Sequence, residues 1–387
     1  MENPDNIIEI PTPEFELEEN KPLKNKVKFH GKGSQLFAID LMNTIFIILT
    51  LGLYYPWAKA KKLKYVYQNT SLADSRFDFL GTGKEIFRGF IKAVLILIVF
   101  YSILTAAQIL LPHMKENEVL LAVFIVLLVL LIFVGIPFFS AYAIYGTFRY
   151  RSARSSWRGI LCGFDANRKE FIATYLKAYY FILLTYAAFI GVYIALLLTM
   201  QSNGFDPSGN KTMSILSLSM LPIMILFIYA YSWYQTKLYK ITYGNLRLGD
   251  LKLNFKGEVT NLFGIQLGGS FLSGLTLGIY YFWFKKDLYN FLIQNCWVEQ
   301  DGVEYRAKSN ITAGQVFNLE VGNFFLLIIT LGLAYSWTYC RTANFITRNI
   351  IIPEEIDVDR IQQTEKAYTD ATGEEMADML DLGGIFF

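Results

Sequence analysis

Long apolar stretches are the feature of this sequence that most limits how the chain folds. Seven of them have the length of membrane segments, at residues 36–57, 88–112, 118–146, 171–200, 213–236, 262–284 and 315–338. A helix needs about 20 apolar residues to cross the hydrocarbon core of a bilayer. Hydrophobic residues make up 53% of the chain, whereas soluble proteins contain about 45–50%. The sequence therefore predicts a membrane protein.

Three of the seven stretches are similar to one another and predict an internal repeat. They align over residues 37–57, 263–283 and 317–337, and each contains Thr-Leu-Gly followed by Leu or Ile. Each ends at a Trp that is followed twelve residues later by an Asn, and a fourth Trp has the same spacing. These repeat positions are Trp57, Trp233, Trp283 and Trp337, with Asn69, Asn245, Asn295 and Asn349. Tryptophans at segment ends are typical interface anchors, and a ligand-binding role is the alternative.

Short β-like runs lie between the apolar stretches. In NLRLGDLKLNF and WVEQDGVEYR, Gly249-Asp250 and Asp301-Gly302 separate two runs of alternating polarity, which is the pattern of a β-hairpin. We therefore predict an all-α membrane protein, a polytopic helical bundle of about seven apolar segments with short cytoplasmic β-hairpins and internal repeats. Three parts are expected: a polar tail ending in a strand at 1–35, a membrane domain at 36–350, and an acidic cytoplasmic tail at 351–387.

The distribution of basic residues predicts which loops face the cytoplasm. Lys and Arg number 8 in residues 58–92, 6 in 147–170 and 5 in 236–261, but only 1 in 113–118 and 1 in 201–212. Basic loops lie preferentially in the cytoplasm. The three basic loops and the C-terminus are therefore expected on that side.

Two topologies for the Thr-Leu-Gly stretches remain open. If all seven stretches cross the membrane, 11 basic residues lie outside, whereas only 2 do if these three stretches dip in and return. The charge distribution favours this re-entrant topology. Against it, ~20 residues make only a shallow hairpin, and no Gly or Pro lies in the middle of the first or third stretch to form a tight turn.

The segment FHGKGSQLFAIDLMNTIFIILTLGLYYPWAKAKKLKYVYQNTSLADSRFDFLGTGKEIFRGF resembles the opening of the YjgN family of bacterial inner-membrane proteins, and TLGLAYSWTYCRTANFITRNI is similar to that family's closing segment. The similarity covers nearly the whole chain. It implies a multi-pass protein of the inner (cytoplasmic) membrane and no particular activity, because the family has no established function. The last repeat departs from the pattern, with Ala334, Ser336 and Thr338 where the first has Tyr, Pro and Ala.

Ionisable side chains inside apolar segments are candidate functional residues, because they are costly to place in a membrane. Asp40 and Asn43 in the first repeat match Glu320 and Asn323 in the third. A spacing of three places each acid and amide on one helix face, and repeat-related polar groups form ion and substrate sites in many transporters. These four residues are the candidate polar lining. The alternative is that both acids lie at headgroup depth near helix N-termini.

Two basic segments with interleaved aromatic residues, KAKKLKY and FRYRSARSSWRG, are expected to lie along the cytoplasmic leaflet. Each Lys or Arg close to anionic lipid contributes about 1 kcal/mol to binding. Membrane lipids are therefore expected partners. The candidate headgroup-binding residues are Lys59, Lys61, Lys62, Lys64, Arg149, Arg151 and Arg154.

Motifs for catalysis are not found in the sequence. The three cysteines and two histidines have no metal-ligand spacing, and no GxSxG, HExxH, P-loop or dinucleotide motif occurs in a suitable context. A net charge of +2 gives no indication of nucleic-acid binding. We therefore expect no enzyme activity, no catalytic residue, no cofactor and no metal.

Two functions fit these features. The first is transport or binding of a small solute or lipid, and the second is a non-catalytic scaffold or regulatory subunit for a partner protein. The C-terminal tail carries ten acidic residues and ends in Ile385, Phe386 and Phe387. It is therefore a candidate docking segment for a membrane or cytoplasmic partner, with a disordered tail as the alternative.

Overall fold

Eleven short strands form the base of the molecule in the computed structural model, which describes residues 25–110, 118–202 and 210–363. The strands are β1 Val27–Phe29, β2 Thr70–Leu72, β3 Ser75–Phe79, β4 Ser155–Trp157, β5 Ile160–Phe164, β6 Leu246–Leu248, β7 Leu251–Phe255, β8 Cys296–Gln300, β9 Val303–Arg306, β10 Lys308–Ser309 and β11 Ile350–Ile351. Strands β1 to β9 pair in chain order, always antiparallel. Strand β10 pairs with β11, and Ile351 also bridges to Lys26 directly before β1. Strand β10 follows β9 after the single residue Ala307, so the strands close into a circle, called the strand ring below.

Helices leave the strand ring and return to it as five hairpins within the described residues. The helices are α1 Gly33–Leu49, α2 Tyr55–Gln68, α3 Gly83–Leu110, α4 Glu118–Leu130, α5 Ile136–Ala153, α6 Arg168–Ser202, α7 Asn210–Tyr243, α8 Val259–Leu275, α9 Tyr281–Gln294, α10 Ala313–Ile329 and α11 Tyr335–Asn349, with a π-helical turn at Leu131–Gly135 between α4 and α5. The strand before each hairpin pairs with the strand after it: β1 with β2, β3 with β4, β5 with β6, β7 with β8 and β10 with β11. Both ends of every hairpin therefore lie on the strand ring.

The hairpins stand side by side around the ring. Helix α1 packs on α11 as well as on α2, and the first helix of each later hairpin meets the last helix of the hairpin before it, as α2 meets α3, α5 meets α6, α7 meets α8 and α9 meets α10. Within the second hairpin, Glu85 of α3 accepts hydrogen bonds from Tyr150 (3.1 Å) and Arg154 (2.6 Å) at the helix ends next to the sheet. The helices thus form a second circle above the strands.

The Thr-Leu-Gly motif forms the turn in each of the three short hairpins, α1–α2, α8–α9 and α10–α11. The hydroxyl of Thr50 donates to the carbonyl oxygen of Phe46 (2.7 Å) and accepts from the N–H of Tyr54 (2.9 Å). Leu51 and Gly52 have left-handed backbones with φ of 50° and 92°, a conformation that L-residues rarely adopt. Residues 276–280 and 330–334 repeat these hydrogen bonds and angles. The motif ends one helix and begins the next within five residues.

The hairpins differ twofold in length. Helix α6 has 35 residues and α7 has 34, whereas α1, α8 and α10 have 17 each. At about 1.5 Å per residue, the long arms extend ~52 Å from the strand ring and the short arms ~25 Å. The short hairpins therefore end about halfway along the long ones.

The Phe-x-Gly motif before three of the hairpins makes the junction from strand to helix. The ring of Phe79 lies where a side chain on Gly81 would be, and Phe29 covers Gly31 in the same way. Phe255 and Gly257 repeat the arrangement. A larger residue than glycine at these positions would collide with the ring, so the motif has a steric explanation.

The predicted all-α bundle of about seven apolar segments is wrong. Among the described residues, three helical stretches are long and apolar enough to cross a bilayer, at residues 83–106, 119–153 and 168–202, and two shorter apolar helices are α1 and α10. The predicted hairpins at Gly249-Asp250 and Asp301-Gly302 are confirmed, but they join the other strands in one nine-stranded sheet. In each Thr-Leu-Gly stretch only the first arm is a continuous apolar helix, because the chain reverses before the Trp.

Replacing Gly52 by Ala tests the left-handed turn. The site has open space around it but requires a φ of 92°, so we expect Gly52→Ala to destabilise the protein by about 1 kcal/mol. The matched control is Gly264→Ala, which lies within α8 with open space around it and gains helix propensity. Denaturant unfolding in detergent measures both. Equal effects of the two substitutions would contradict the role of the turn.

Candidate functional site

The first predicted acid–amide pair lies between hairpins. Asp40 of α1 accepts a hydrogen bond from Ser336 of α11 (2.9 Å) and forms a salt bridge with Lys62 of α2 (3.1 Å). Asn43 is buried and donates to the carbonyl oxygen of Ala58 (3.3 Å). These residues join α1 to its two neighbouring helices.

The second predicted pair occupies the equivalent interface of the last hairpin. Glu320 of α10 forms a salt bridge with Lys285 of α9 (2.6 Å), and Asn323 donates to Thr342 of α11 (3.3 Å). No hydrogen bond or ion pair in the described structure joins these side chains to Asp40 or Asn43. The two predicted pairs therefore form separate contacts and do not make one common lining.

The matching position of the middle repeat has a neutral version of the same contact. Gln266 of α8 accepts from the hydroxyl of Ser232 (2.7 Å) and donates to Gln235 (2.6 Å), both on α7. Acid and amide at this position therefore have one geometric role, which is to bind the second arm of the preceding hairpin.

The repeated asparagines close the second arm of four hairpins. Each side-chain amide donates to the carbonyl oxygen four residues earlier, at 2.8 Å for Asn69, 3.0 Å for Asn245, 2.7 Å for Asn295 and 2.8 Å for Asn349. The backbone carbonyl of Asn69 also accepts from the N–H of His30 (2.7 Å), and Asn245 and Asn295 make the same link to Asp165 and Lys256. These contacts bind the helix end to the strand ring.

Two of the repeated tryptophans pack between neighbouring hairpins. Trp57 of α2 lies against Phe87 of α3 (ring centroids 5.0 Å apart), and Trp337 of α11 lies against Phe37 of α1 (5.0 Å). Trp233 of α7 lies against Phe181 of α6 within one hairpin (5.0 Å). Trp57 and Trp337 also fill the space above Gly83 and Gly33. Trp283 stacks on Tyr280 within its own hairpin (5.9 Å).

The predicted headgroup-binding residues divide into paired and unpaired groups. Lys62 and Arg154 form the ion pairs given above, Lys61 donates to Tyr54 (2.6 Å), and Arg149 donates to Tyr145 (3.4 Å). Lys64 is exposed. Lys59 differs from these, because its Nζ is buried and has no hydrogen-bond acceptor in the part of the chain that the structure describes. The Nε of Arg151 is also buried without an acceptor there, and so is the Nε of Arg154, whose other guanidinium nitrogen pairs with Glu85. Burial, and then the nearby charge of Arg151, lower the pKa of Lys59 to about 8 from its ordinary 10.5.

A cavity of about 480 Å³, called the helix cavity below, lies between α7, α8 and α9. Its walls combine apolar residues such as Phe227, Ile228 and Leu288 with polar ones. The polar groups are Tyr231, Gln235, Tyr239, Gln266, Lys285 and Tyr289. A space of this size and mixed lining accommodates part of an amphiphilic molecule.

A second cavity of about 350 Å³, called the ring chamber below, lies inside the strand ring. Leu72, Leu248 and Leu251 line it together with Cys162. Burial raises the pKa of the Cys162 thiol to about 12, so this thiol is protonated at neutral pH. The chamber is almost entirely apolar.

Residues 353–363, called the plug below, close the ring chamber on the side away from the helices. Ile356, Val358 and Ile361 of the plug are buried against the strands. Asn25 donates to the carbonyl oxygens of Pro353 (2.9 Å) and Ile356 (2.7 Å). Further polar contacts join the plug to the strand turns, namely Asp357 with Gln300, Asp359 with Arg158 and Gln362 with Asp250. The sequence prediction missed this packing, although its signal was the apolar spacing of residues 356, 358 and 361 within an acidic segment.

The remaining sequence predictions concern metal binding and the C-terminal tail. Among the described residues, no group of three or more His, Cys, Asp or Glu side chains is arranged to hold a metal ion. The predicted docking end of the tail, Ile385 to Phe387, lies outside the described residues.

Removing the plug is expected to destabilise the strand ring. A truncation after Ile352 exposes the apolar chamber and loses three buried aliphatic side chains, each worth about 1.5–3 kcal/mol, so unfolding in detergent should require at least 3 kcal/mol less. A truncation after Gln363 keeps every plug contact described above and is the control. Similar stability of the two truncated chains would contradict a structural role of the plug.

The lysines at two equivalent positions are expected to respond oppositely to substitution. Lys285→Met leaves Glu320 half-buried without its partner and should destabilise the protein by about 1 kcal/mol. Lys59→Met removes a buried charge that has no counter-ion, so delipidated protein should become more stable. Since the folded pKa of Lys59 lies near 8 and its ordinary value is 10.5, this gain should be largest below pH 8 and decline between pH 8 and 10.5. Denaturant unfolding at several pH values measures it, and a loss of stability in Lys59→Met would contradict the prediction.

The chain is similar to known bacterial inner-membrane proteins. Inner membrane protein YjgN of Salmonella typhimurium is 24% identical over 385 residues, covering 87% of this chain and 91% of the relative. The protein of the same name from Escherichia coli K12 is 29% identical over 143 residues, covering 37% of this chain and 32% of the relative. No solved structure gives a significant match. The resemblance to the YjgN family is confirmed, and the family described as bacterial protein of unknown function, DUF898, matches residues 24–191, 162–303 and 304–379. The chain therefore belongs to the DUF898 family of bacterial proteins of unknown function.

Proposed function

We propose that this protein is a multi-pass inner-membrane protein that binds an amphiphilic lipid in the helix cavity, without a catalytic step. The observation that carries the proposal is the position of the helix cavity, which lies between one long arm, α7, and the short hairpin α8–α9. The short hairpin ends part of the way along the long arm, so a molecule from the lipid phase can reach the cavity above the turn.

The exposed surface of the short hairpins supports contact with lipid. Leu51, Leu277 and Leu331 at the three turns are 95%, 95% and 92% exposed. A leucine in a left-handed turn that is open on all sides has no packing partner in its own fold, so its hydrophobic surface favours insertion into a bilayer. The tips are the proposed membrane-inserted ends.

The length of the first helix indicates how deeply the short hairpins enter the bilayer. Asp40 to Leu49 of α1 is a run of ten helical residues that ends at the turn, which corresponds to ~15 Å. The hydrocarbon core is about 30 Å thick. The proposed short hairpins therefore reach the middle of the bilayer and return, whereas the long hairpins cross it.

The long hairpins also carry surface suited to lipid. Residues 95–99 of α3 are five successive apolar residues, and each is more than 40% exposed. Five successive residues cover every face of a helix, so this part of α3 is proposed to lie in lipid. The relatives named inner membrane protein support the choice of the inner membrane.

We propose that the strand ring faces the cytoplasm and that the C-terminus lies on that side. The three basic loops at residues 58–92, 147–170 and 236–261 all contain strands of the ring. Basic loops favour the cytoplasmic side. The plug closes the ring chamber on that side, which favours binding over passage through the protein.

Single-cysteine labelling tests the proposed topology. In a chain without Cys162, Cys296 and Cys340, a probe at Asp74 on the strand ring should react with a water-soluble maleimide only from the cytoplasm, and a probe at Ser202 only from the periplasm. A probe at Leu51 should react from neither side and should be quenched by lipid-phase quenchers. Reaction of the Leu51 probe from the periplasm would contradict re-entry.

Lipid retention tests the proposed binding. Native mass spectrometry of the full chain in detergent should detect one retained lipid per chain, since the site is a single cavity. Ser270 lines the helix cavity, so Ser270→Trp should reduce retention at least tenfold. The control Gly274→Trp adds the same ring to an open position of the same helix and should retain the lipid. Equal retention by both variants would contradict the helix cavity as the binding site.

A further inference from the structure

The wall of the helix cavity contains a chain of four hydrogen-bonded polar side chains. Ser232 contacts Gln266 (2.7 Å), Gln266 contacts Gln235 (2.6 Å), and Gln235 contacts Tyr231 (2.8 Å). Gln266, Gln235 and Tyr231 line the cavity, whereas Ser232 is fully buried. Polar groups away from water are unfavourable unless they are paired. The end of the chain at Tyr231 therefore indicates which ligand group fits the cavity.

The direction of this chain can reverse, because Ser232 has one proton and two acceptors. Its hydroxyl lies 2.7 Å from the carbonyl oxygen of Ile228 and 2.7 Å from Oε1 of Gln266. When Ser232 donates to Gln266, each amide donates to the next side chain and Tyr231 keeps its proton for a ligand. When Ser232 donates to Ile228, both amides are rotated, Tyr231 donates to Gln235, and the Tyr231 oxygen keeps a lone pair for a ligand.

Tyr231 is where a ligand reaches the chain. The residue is 40% exposed and lines the cavity, and the described residues supply no acceptor for its proton. An ester oxygen matches only the first direction of the chain, and an ammonium group matches only the second. A hydroxyl group both donates and accepts, so it completes the chain in either direction.

The helix cavity presents no unneutralised charge. Among the described residues that line it, Lys285 is the one charged side chain, and its Nζ lies 2.6 Å from Oε1 of Glu320. The rings of Tyr281 and Tyr289 also lie near this Nζ (5.6 and 6.0 Å from the centroids). A phosphate bound to Lys285 would separate the ion pair and leave Glu320 half-buried without a partner, which is unfavourable. The lining therefore favours an uncharged ligand over an anionic one.

We propose that the ligand of the helix cavity is an uncharged lipid alcohol of the diacylglycerol type, whose hydroxyl group hydrogen-bonds to Tyr231. The inference rests on the proposed lipid-binding function and names the ligand class of that site. The amide of Gln235 has a second N–H, which an ester carbonyl of the same lipid accepts. The polar part of the ligand is thus bound by neutral groups alone.

The lining also sets the orientation of the lipid. Helix α7 ends next to the strand ring at Tyr243, so Phe227 and Ile228 lie farther from the ring than Tyr231 does. These two residues form an apolar part of the cavity wall together with Phe284 of α9. The hydrocarbon chains therefore extend past Phe227 and Ile228 toward the middle of the bilayer, while the hydroxyl stays at Tyr231.

The experiment measures lipid retention by the full chain, using native mass spectrometry after release from phosphatidylcholine nanodiscs. The nanodiscs contain equal amounts of dioleoylglycerol, phosphatidylglycerol and phosphatidylethanolamine. The wild type should retain dioleoylglycerol about tenfold over either phospholipid. Tyr231→Phe should retain about fivefold less of it, since one hydrogen bond is lost. The control Tyr229→Phe removes the same hydroxyl from the same helix at a residue outside the cavity lining and should retain dioleoylglycerol like the wild type.

A gain of binding tests the charge argument. Glu320→Gln keeps the size of the side chain but leaves Lys285 unneutralised beside the cavity, so retention of phosphatidylglycerol should rise about tenfold. The control Asp40→Asn removes the acid at the equivalent repeat position, whose partner Lys62 does not line the cavity. It should leave phosphatidylglycerol retention unchanged. A misfolded variant would not gain a lipid, so this result does not depend on Tyr231→Phe.

The outcomes separate this inference from the proposed function. If the wild type prefers either phospholipid over dioleoylglycerol and Ser270→Trp loses that lipid, the lipid-binding proposal stands and the lipid alcohol is overturned. Equal retention of dioleoylglycerol by Tyr231→Phe and Tyr229→Phe, or no gain of phosphatidylglycerol in Glu320→Gln, would also overturn it. If the wild type retains none of the three lipids, the lipid-binding proposal itself fails.

Discussion

Antiparallel pairing between the strand before each helical hairpin and the strand after it is the constraint on which the rest of this structure depends. Because β1 pairs with β2 and β10 with β11, a hairpin cannot leave its two ends on opposite sides of a bilayer. Strands of successive hairpins pair as well. Strand β2, which follows the first hairpin, pairs with β3, which precedes the second, and β3 in turn pairs with β4. The circular order of the helices therefore follows from the circular order of the strands.

Sequence patterns predicted the local elements better than their assembly. The turns at Gly249-Asp250 and Asp301-Gly302 could be predicted from the sequence, since each pair favours a two-residue hairpin turn. The circular arrangement of the strands could not be predicted, because strands of two to five residues carry too little pattern to identify partners more than 75 residues away, such as Phe77 and Trp157. Non-local pairing between short strands depends on the helices that bring them together.

The Thr-Leu-Gly segments illustrate a specific error in reasoning from hydropathy. A re-entrant stretch was expected to turn in its middle, and the first and third stretches have no Gly or Pro there. The actual turn lies near its end, with Gly52 at a φ of 92°, because the returning arm is the basic amphipathic helix that follows. The repeat spacing likewise identifies the asparagines without giving their role, which for Asn69 is to cap a helix and link it to His30. In both cases the sequence identifies the repeated residues, but only the fold shows which backbone groups they contact.

Charge pairing differs between equivalent positions of the repeat. Glu320 with Lys285 is an ion pair between neighbouring hairpins, and Asp40 with Lys62 is one within the first hairpin. Such half-buried pairs contribute modestly to stability. Lys59 has the repeat position of Lys285, but the residue in the place of Glu320 is Phe90, whose ring packs on Tyr55. The Nζ of Lys59 is buried without a hydrogen-bond acceptor in the part of the chain that the structure describes. One repeat position therefore stabilises a hairpin interface in the last hairpins and leaves an unneutralised charge in the first.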